Sequence, residues 1–169
     1  KARLGKLRVG DPLDKSTDVG AIVDPVQLTR IRDLVAKGEA QGAKLHQAAA
    51  QLPAKGCYFA PGFFTDVAPA NIVSEVEIFG PVATLTTFRT PDEAVALANN
   101  TRYGLAASIW SENINLALDV AAQVKAGNKP DNYLAPSDLS DFDRGHLRDA
   151  FVVVKSMQSA VGHGRGALS

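Results

Sequence analysis

A short acidic and aromatic segment carries the clearest chemical signal in the sequence. Glu75 and Glu77 precede Phe79, and a Gly80-Pro81 turn leads directly into an apolar run. A carboxylate in this position can accept hydrogen bonds from sugar hydroxyls, and a neighbouring aromatic ring can pack against a planar ring. A surface loop with a capped turn explains the same residues. On the residues alone this second interpretation is favoured.

The single cysteine, Cys57, is the only thiol that could act as a nucleophile. It stands in the stretch KGCYF (55–59), which predicts a loop entering a strand, and no histidine lies near it in sequence. A lowered thiol pKa requires a helix N-terminus or a cationic neighbour, and the sequence indicates neither. We therefore expect Cys57 to be a half-buried structural residue. One cysteine also excludes an internal disulfide and points to a reducing compartment, here the cytoplasm.

Metal-binding patterns are incomplete. The histidines are far apart, and no pair of His or Cys residues repeats at the interval of a zinc site. Three aspartates resemble half of a calcium loop, but the glycine and the closing glutamate are not placed correctly. These residues are His46, His146 and His163, and Asp138, Asp141 and Asp143. We expect no metal site.

A glycine-rich stretch, GHGRG (162–166), looks like a phosphate-binding loop. Such a loop works only between a strand and a helix whose N-terminus meets the phosphate. Three residues follow the stretch, so we expect a flexible tail.

The composition is that of an ordinary globular domain. The 169 residues are 46% hydrophobic and 21% charged, and 18 basic residues balance 18 acidic ones. A net charge of zero argues against a general nucleic-acid binder. No apolar run approaches the roughly 18 residues of a membrane span. We therefore expect neither nucleic acid nor membrane as a partner. The stretch KARLGKLRV (1–9) looks like the continuation of an earlier element, which predicts that the chain belongs to a longer protein.

Three helices are predicted from their first residues. Each starts with a side chain that can accept a hydrogen bond from the first turn, and two have proline at the first helical position. Apolar residues then recur at helical spacing. The predicted helices begin at Asp24, Thr90 and Ser111, and end at Gly38, at Asn99-Asn100 and before Gly127.

Short apolar, β-prone stretches lie between these helices. The predicted strands are Tyr58–Val67, Val82–Phe88 and Leu105–Trp110. Strands that alternate with helices of 10 to 15 residues are typical of an α/β layer with parallel strands.

The last forty residues differ from the rest. Residues 128–145 hold two prolines and four aspartates with little periodicity, which predicts a long loop or a disordered stretch. A short apolar strand, Phe151–Val154, follows. Such a terminal strand needs its own sheet or the edge of a neighbour's sheet.

Several blocks, taken in order, resemble the C-terminal half of the catalytic domain of NAD(P)-dependent aldehyde dehydrogenases. The most recognisable is EIFGPV (77–82), which matches that family's E-[IL]-F-G-P-V string. The other blocks occur in the right order and at the right spacing. They are GDPLD (10–14) with TDVG (17–20), GAKL (42–45) with YFAP (58–61), DEA (92–94) with NNT (99–101), and YGLAA (103–107).

The resemblance implies an enzyme that oxidises aldehydes to carboxylic acids with NAD or NADP. In that family a cysteine attacks the aldehyde to give a thiohemiacetal, hydride passes to the nicotinamide, and water hydrolyses the resulting thioester. By position, Glu77 would hold the nicotinamide ribose hydroxyls and Phe79 would lie beside the nicotinamide. Leu105 would border the same end of the cofactor. These roles orient the reactants without taking part in bond chemistry.

The departures from the family concern the reactive groups. By the resemblance, the nucleophilic cysteine, the general-base glutamate, the oxyanion asparagine and the Rossmann-like domain would all precede Lys1. Cys57 falls where the family has no catalytic residue. We therefore expect no catalytic residue in this chain, no aldehyde oxidation by it alone and no tight binding of the cofactor to it alone.

A second departure begins after Gly127. The family continues with an apolar strand ending in asparagine, whereas NKPDN (128–132) keeps only Asn132. The family's glycine-rich closing loop is not visible. The stretch LRDAFVVVK (147–155) weakly resembles the closing segment that, in the family, helps form the subunit interface.

The expected fold class is therefore α/β, an aldehyde dehydrogenase-like portion with a mostly parallel sheet flanked by helices and without the Rossmann-like domain. The expected division is a partial catalytic domain (1–127), a divergent loop-rich segment (128–147) and a C-terminal strand and tail (148–169) that can serve oligomerisation.

Two functions stay open on the sequence. The first is a portion of a working aldehyde dehydrogenase that acts on an aldehyde as a homo-oligomer. The second is a non-catalytic scaffold or interaction module that kept the fold and lost the chemistry. A third, an Asp-rich metal-binding protein, requires that calcium raise the melting temperature.

Overall fold

The computed structural model describes residues 1–126 and the backbone of residues 152–156. The described residues fall into two compact units, one formed by Lys1–Thr86 and the other lying within Thr87–Gln158. Each unit has its own core of buried apolar side chains. Within the described residues no helix is both long and apolar enough to cross a bilayer.

The first unit packs two helices on a three-stranded sheet. Its elements are a short 3-10 helix at Leu4–Lys6, α1 at Pro25–Ala40, β1 at Lys44–Gln47, β2 at Gly62–Thr65, α2 at Ile72–Glu75 and β3 at Val82–Thr84. The strand order is β1-β2-β3, with β1 antiparallel and β3 parallel to the central strand β2. Ile31, Phe64 and Val73 are fully buried at the centre of the unit's core.

Helix α1 begins where its sequence predicts. Asp24 Oδ1 accepts a hydrogen bond from the backbone N–H of Gln27 at 2.7 Å, and Pro25 occupies the first helical position. The predicted stop at Gly38 is wrong, because the helix continues to Ala40. Gly38 is instead a packing position: a Cβ there would lie 2.5 Å from Val73 Cγ1.

Asn71 ties the short helix α2 to α1. Its side chain is 2% exposed. Asn71 Oδ1 accepts from the backbone N–H of Val73 at 3.1 Å, and Nδ2 donates to the carbonyl of Gly38 at 3.1 Å. One buried amide therefore caps α2 and holds it against the last turn of α1. Sequence reasoning did not predict α2, since four residues are too few to show helical periodicity.

The second unit packs two helices and a two-stranded sheet. Its elements are α3 at Pro91–Asn99, β4 at Ala106–Trp110, α4 at Ile114–Gln123 and β5 at Val152–Ser156. Strands β4 and β5 are antiparallel, with Ala106 opposite Ser156 and Trp110 opposite Val152. The terminal strand thus begins one residue later than predicted and lies on the edge of a neighbouring strand.

The caps of α3 and α4 show how far the sequence specifies helix ends. Thr90 Oγ1 accepts from the backbone N–H of Glu93 at 3.1 Å, as predicted for α3. The predicted start of α4 at Ser111 is wrong: Asn113 is the cap, and its Oδ1 accepts from Leu116 N–H at 3.2 Å. Ser111 lies two residues earlier, where its hydroxyl accepts a hydrogen bond from Asn113 N–H.

Asn99, the last residue of α3, contacts the end of α4. Its Nδ2 donates to the carbonyl of Gln123 at 3.0 Å, and its Oδ1 accepts from the backbone N–H of Lys125 at 2.7 Å. Helix α4 ends at Gln123, before the predicted limit ahead of Gly127. The side chain of Asn99 thus binds the carbonyl of the last helical residue and a backbone N–H two residues beyond it.

The α/β class is confirmed, and the predicted strands are present but shorter. In the described part of the chain, only β2 and β3 are parallel, whereas the β1–β2 and β4–β5 pairs are antiparallel. The prediction of a mostly parallel sheet is therefore wrong for the described strands. In the first unit the reason is connectivity: β2 reaches β3 through a helical crossover, while residues 48–61 return from β1 to β2 without a helix. The predicted loop at 128–145 and the glycine-rich tail lie outside the described residues.

The ion pair that opens α3 predicts an acid-sensitive contribution to stability. Glu93 Oε2 accepts from the backbone N–H of Arg89 at 2.7 Å and from its Nε at 3.3 Å. The side-chain hydrogen bond, and then the backbone one, lower the pKa of Glu93. Because the folded pKa is depressed, this stabilisation is present above the unfolded pKa and is lost as the pH falls through the folded pKa.

We therefore expect Glu93→Gln to lower the urea midpoint slightly at pH 7, since the pair is largely exposed to solvent. The difference from the unchanged chain should shrink as the pH is lowered through the depressed folded pKa of Glu93. Urea unfolding followed by circular dichroism at several pH values measures it. A difference that stays constant into acid would contradict the assignment.

Candidate cofactor-binding segment

Residues 77–81 form a fixed loop between α2 and β3, here called the 77–81 segment. Ile78 is buried in the core of the first unit, with 7% of its surface exposed. Glu77 on one side of it is half-buried, and Phe79 on the other side is 38% exposed. The buried isoleucine anchors the segment, so that the carboxylate and the aromatic ring stand on either side of the anchor.

Phe79 adopts a backbone conformation that is rare for a residue with a side chain. Its φ angle is 56°, in the left-handed region. This conformation costs a non-glycine residue about 1–2 kcal/mol and persists only where surrounding contacts enforce it. One such contact is visible: Gln27 Nε2 lies 3.0 Å from the carbonyl oxygen of Ile78 and 3.4 Å from that of Phe79.

The rest of the segment is fixed by close packing and by the sheet. A Cβ on Gly80 would lie 2.8 Å from Ile31 Cδ1, so only glycine lets the backbone approach α1 this closely. The carbonyl of Pro81 accepts from Gly62 N–H at 2.9 Å, which joins the end of the segment to β2. The glycine of the turn is therefore explained by local packing.

The polar and aromatic groups of the segment suit a hydroxylated, planar ligand. Among the described residues, no side chain or backbone group donates a hydrogen bond to the Glu77 carboxylate, so its acceptor positions are available to hydroxyl groups. The exposed Phe79 ring offers an apolar face for a planar ring. These are the groups that a nicotinamide ribose and its base require, so the residues present fit such a cofactor.

Leu105 belongs to the second unit. It immediately precedes β4, and its side chain is 53% exposed. An exposed leucine at the start of a strand is available for an apolar contact. Within its own unit, exposure is the property of Leu105 that bears on ligand binding.

Two other chemical candidates, Cys57 and His46, lie in the described residues. Cys57 is half-buried, as expected, and its carbonyl accepts a hydrogen bond from Ile22 N–H. His46 Nε2 lies 2.9 Å from Thr65 Oγ1, and desolvation lowers the pKa of this histidine. No group of three or more His, Cys, Asp or Glu residues that could hold a metal occurs in the described ranges. His146, His163 and the three aspartates at 138, 141 and 143 lie outside those ranges.

Sequence reasoning missed Gln27. The spacing of Asp24 and Gln27 matches a capping box, in which the glutamine would reach back to the N-terminal residue of the helix. The structure shows only half of this: Asp24 accepts from Gln27 N–H, but the Gln27 amide extends to the 77–81 segment. A contact between residues 51 positions apart leaves no local pattern in the sequence.

Comparison with known proteins now identifies the class. The model of the aldehyde dehydrogenase family matches residues 1–140, so the chain belongs to this family. An aldehyde dehydrogenase from Enchytraeus buchholzi is 42% identical over 125 residues, which is 74% of this chain and 25% of that protein. A betaine aldehyde dehydrogenase from Cereibacter sphaeroides is 37% identical over 74% of this chain and 26% of that protein.

Solved structures agree with this assignment. The NAD-dependent aldehyde dehydrogenase from Sinorhizobium meliloti superposes with a TM-score of 0.71 at 38% identity, over 76% of this chain and 26% of that one. A betaine aldehyde dehydrogenase from Staphylococcus aureus, solved in complex with NAD+, gives 0.71 at 29% identity over the same shares. The chain thus spans about a quarter of the length of the relatives it matches.

Proposed function

We propose that this chain forms part of an NAD-dependent enzyme that oxidises aldehydes to carboxylic acids, and that the 77–81 segment supplies one wall of its cofactor site. The observation that carries the proposal is the 77–81 segment itself: the half-buried Glu77 carboxylate precedes the exposed ring of Phe79 by two residues, and Phe79 is held in a left-handed backbone conformation. Strain of this kind is characteristic of ligand-binding positions. Membership of the family, with NAD-dependent relatives, supports it.

NAD+ bound at such a site accepts a hydride from the substrate. The residues of this chain orient it. The Glu77 carboxylate accepts hydrogen bonds from the ribose hydroxyls, and the Phe79 ring packs beside the nicotinamide and limits its rotation. For Leu105, a role at the same end of the cofactor is supported by the family resemblance and by the exposure of its side chain.

None of Glu77, Phe79 and Leu105 forms or breaks a bond in these roles, and Cys57 falls where the family resemblance places no catalytic residue. It stands in a stretch that the described residues place between β1 and β2, with its carbonyl engaged by Ile22. We therefore propose that the reactive cysteine belongs to another part of the protein and that this chain alone does not oxidise aldehydes. Residues 1–127 would form the catalytic-domain portion, and β5 in segment 148–169 would contribute to a homo-oligomer.

The proposal is tested with Glu77→Gln in the full-length product that carries this chain. An amide keeps the size of the carboxylate but accepts fewer and weaker hydrogen bonds. We expect NADH formation from an aldehyde to fall about tenfold, because looser positioning slows hydride transfer. A larger isotope effect with deuterated aldehyde would locate the loss in that step.

Glu39→Gln is the matched control, since Glu39 is an exposed carboxylate on α1 of the same unit. It should leave turnover unchanged. If the Glu77 variant turns over like the unchanged enzyme, the role of Glu77 is wrong. A correctly folded full-length product without NAD-dependent turnover would instead support a non-catalytic scaffold.

A further inference from the structure

We infer that Gln27 is a positioning residue for the 77–81 segment, holding the Glu77 carboxylate and the Phe79 ring in the orientation that hydride transfer requires. The inference rests on the proposed function and extends it to a residue on a different element, α1. The juxtaposition is direct: one side-chain nitrogen faces two successive backbone carbonyls.

The geometry makes this contact more than a surface hydrogen bond. Successive carbonyls of an extended strand point in opposite directions. The left-handed conformation of Phe79 breaks this alternation, and both its own carbonyl and that of Ile78 approach Gln27 Nε2, at 3.4 Å and 3.0 Å. A primary amide carries two hydrogens and can serve two acceptors at once. Without this donor, the two carbonyl oxygens would lose a shared hydrogen-bond partner, and the repulsion between their partial negative charges would not be offset.

Gln27 is itself held in place. It lies in the first turn of α1, and its backbone N–H is bound by the cap residue Asp24 at 2.7 Å. Helix α1 is anchored by buried Ile31, whose side chain also lies under Gly80. The start of α1 thus fixes, through the Gln27 amide, the carbonyl groups of Ile78 and Phe79, which lie on either side of the Phe79 α-carbon.

The consequence for the proposed reaction follows from the sensitivity of hydride transfer to distance. A misplacement of about 1 Å in a reacting geometry can reduce the rate by about a hundredfold. Loss of the Gln27 contacts leaves Ile78 in the core and affects only the local backbone. We therefore expect a smaller effect, about a fivefold decrease in kcat, with little change in the KM for the aldehyde.

The experiment uses the full-length product with Gln27→Glu and Gln27→Met. The first keeps the shape but places carboxylate oxygen against two carbonyl oxygens, and the second keeps the length without charge or donor. Gln47→Glu is the matched control, because Gln47 Nε2 makes the same kind of bond, to the carbonyl of Ala60 at 2.9 Å, in the same unit. The readouts are kcat, KM, the isotope effect with deuterated aldehyde, and hydrogen exchange of a peptide covering 76–82.

For both Gln27 variants we expect a lower kcat, a larger isotope effect and faster exchange at 76–82. For the Gln47 variant we expect none of these three changes. Unchanged kcat and isotope effect in a Gln27 variant of an active enzyme would overturn this inference and leave the proposed function standing. Unchanged exchange at 76–82 would overturn it independently of activity. An unmodified product without NAD-dependent turnover would overturn the proposed function, and this inference with it.

Discussion

Replacing Asn71 by alanine should lower the free energy of unfolding by about 3 kcal/mol. The substitution removes the cap of α2 and leaves the Val73 N–H without a partner in the buried core. It also removes one of the two hydrogen bonds to the Gly38 carbonyl, which keeps only that from Ala43 N–H. Because the site is 2% exposed, water does not replace the lost amide without cost. Urea unfolding followed by circular dichroism measures the loss.

The variant Asn71→Asp separates hydrogen bonding from packing. A carboxylate still accepts from Val73 N–H, but it faces the Gly38 carbonyl with an oxygen instead of a donor. Burial favours the protonated form and raises the pKa of the introduced carboxyl above its unfolded value. A raised folded pKa means that stability decreases as the pH rises, so the destabilisation should be largest at pH 7 and should diminish as the pH falls through that raised pKa.

Asn113→Asp provides the matched control, since Asn113 caps α4 in an exposed position. A negative charge at a helix N-terminus is favourable, and this variant should be neutral or slightly stabilising at pH 7. If the two aspartate substitutions changed the free energy of unfolding equally, burial of Asn71 would not be the cause of the destabilisation.

Replacing Gly38 by alanine should cost about 2 kcal/mol, although alanine is the better helix former. The new Cβ would lie 2.5 Å from Val73 Cγ1 and 3.3 Å from Phe64 Cζ. Both neighbours are fully buried, and valine has a short, stiff side chain that cannot move aside. Helix α2 would have to shift away from α1, which would also stretch the Asn71 bond to the Gly38 carbonyl.

Two variants test the origin of this loss. Gly5→Ala is the matched control, because nothing lies within 4 Å of a Cβ at that helical glycine. In Gly38→Ala combined with Val73→Ala, the space for the new methyl is restored, and the combined loss should be clearly smaller than the sum of the single losses. Additive losses would mean that the two side chains do not compete for the same space.

Sequence reasoning was most successful where a feature depends on near neighbours. The starts of α1 and α3 are predicted because the cap and the first turn lie within four residues, as Asp24 and Thr90 show. It failed where a distant residue decides. Gly38 has the pattern of a helix stop, yet it is the close approach of Val73 that leaves no room for a side chain there. Likewise, the end of α4 at Gln123 is bound by Asn99, a residue of another helix.

The candidate site shows the same division. The string EIFGPV identified Glu77 and Phe79, and their roles in cofactor binding remain predictions. The left-handed backbone at Phe79 was not predictable, because phenylalanine rarely adopts it. Gln27 was missed since its two acceptors are backbone carbonyls, whose positions no residue type encodes.

The two hydrogen bonds of Asn99 couple the ends of two helices in the second unit. Both bonds reach from the last residue of α3 to the end of α4, 24 and 26 positions along the chain. Fraying at the end of α3 would remove both of these bonds from the end of α4 together. We therefore expect the ends of the two helices to open together.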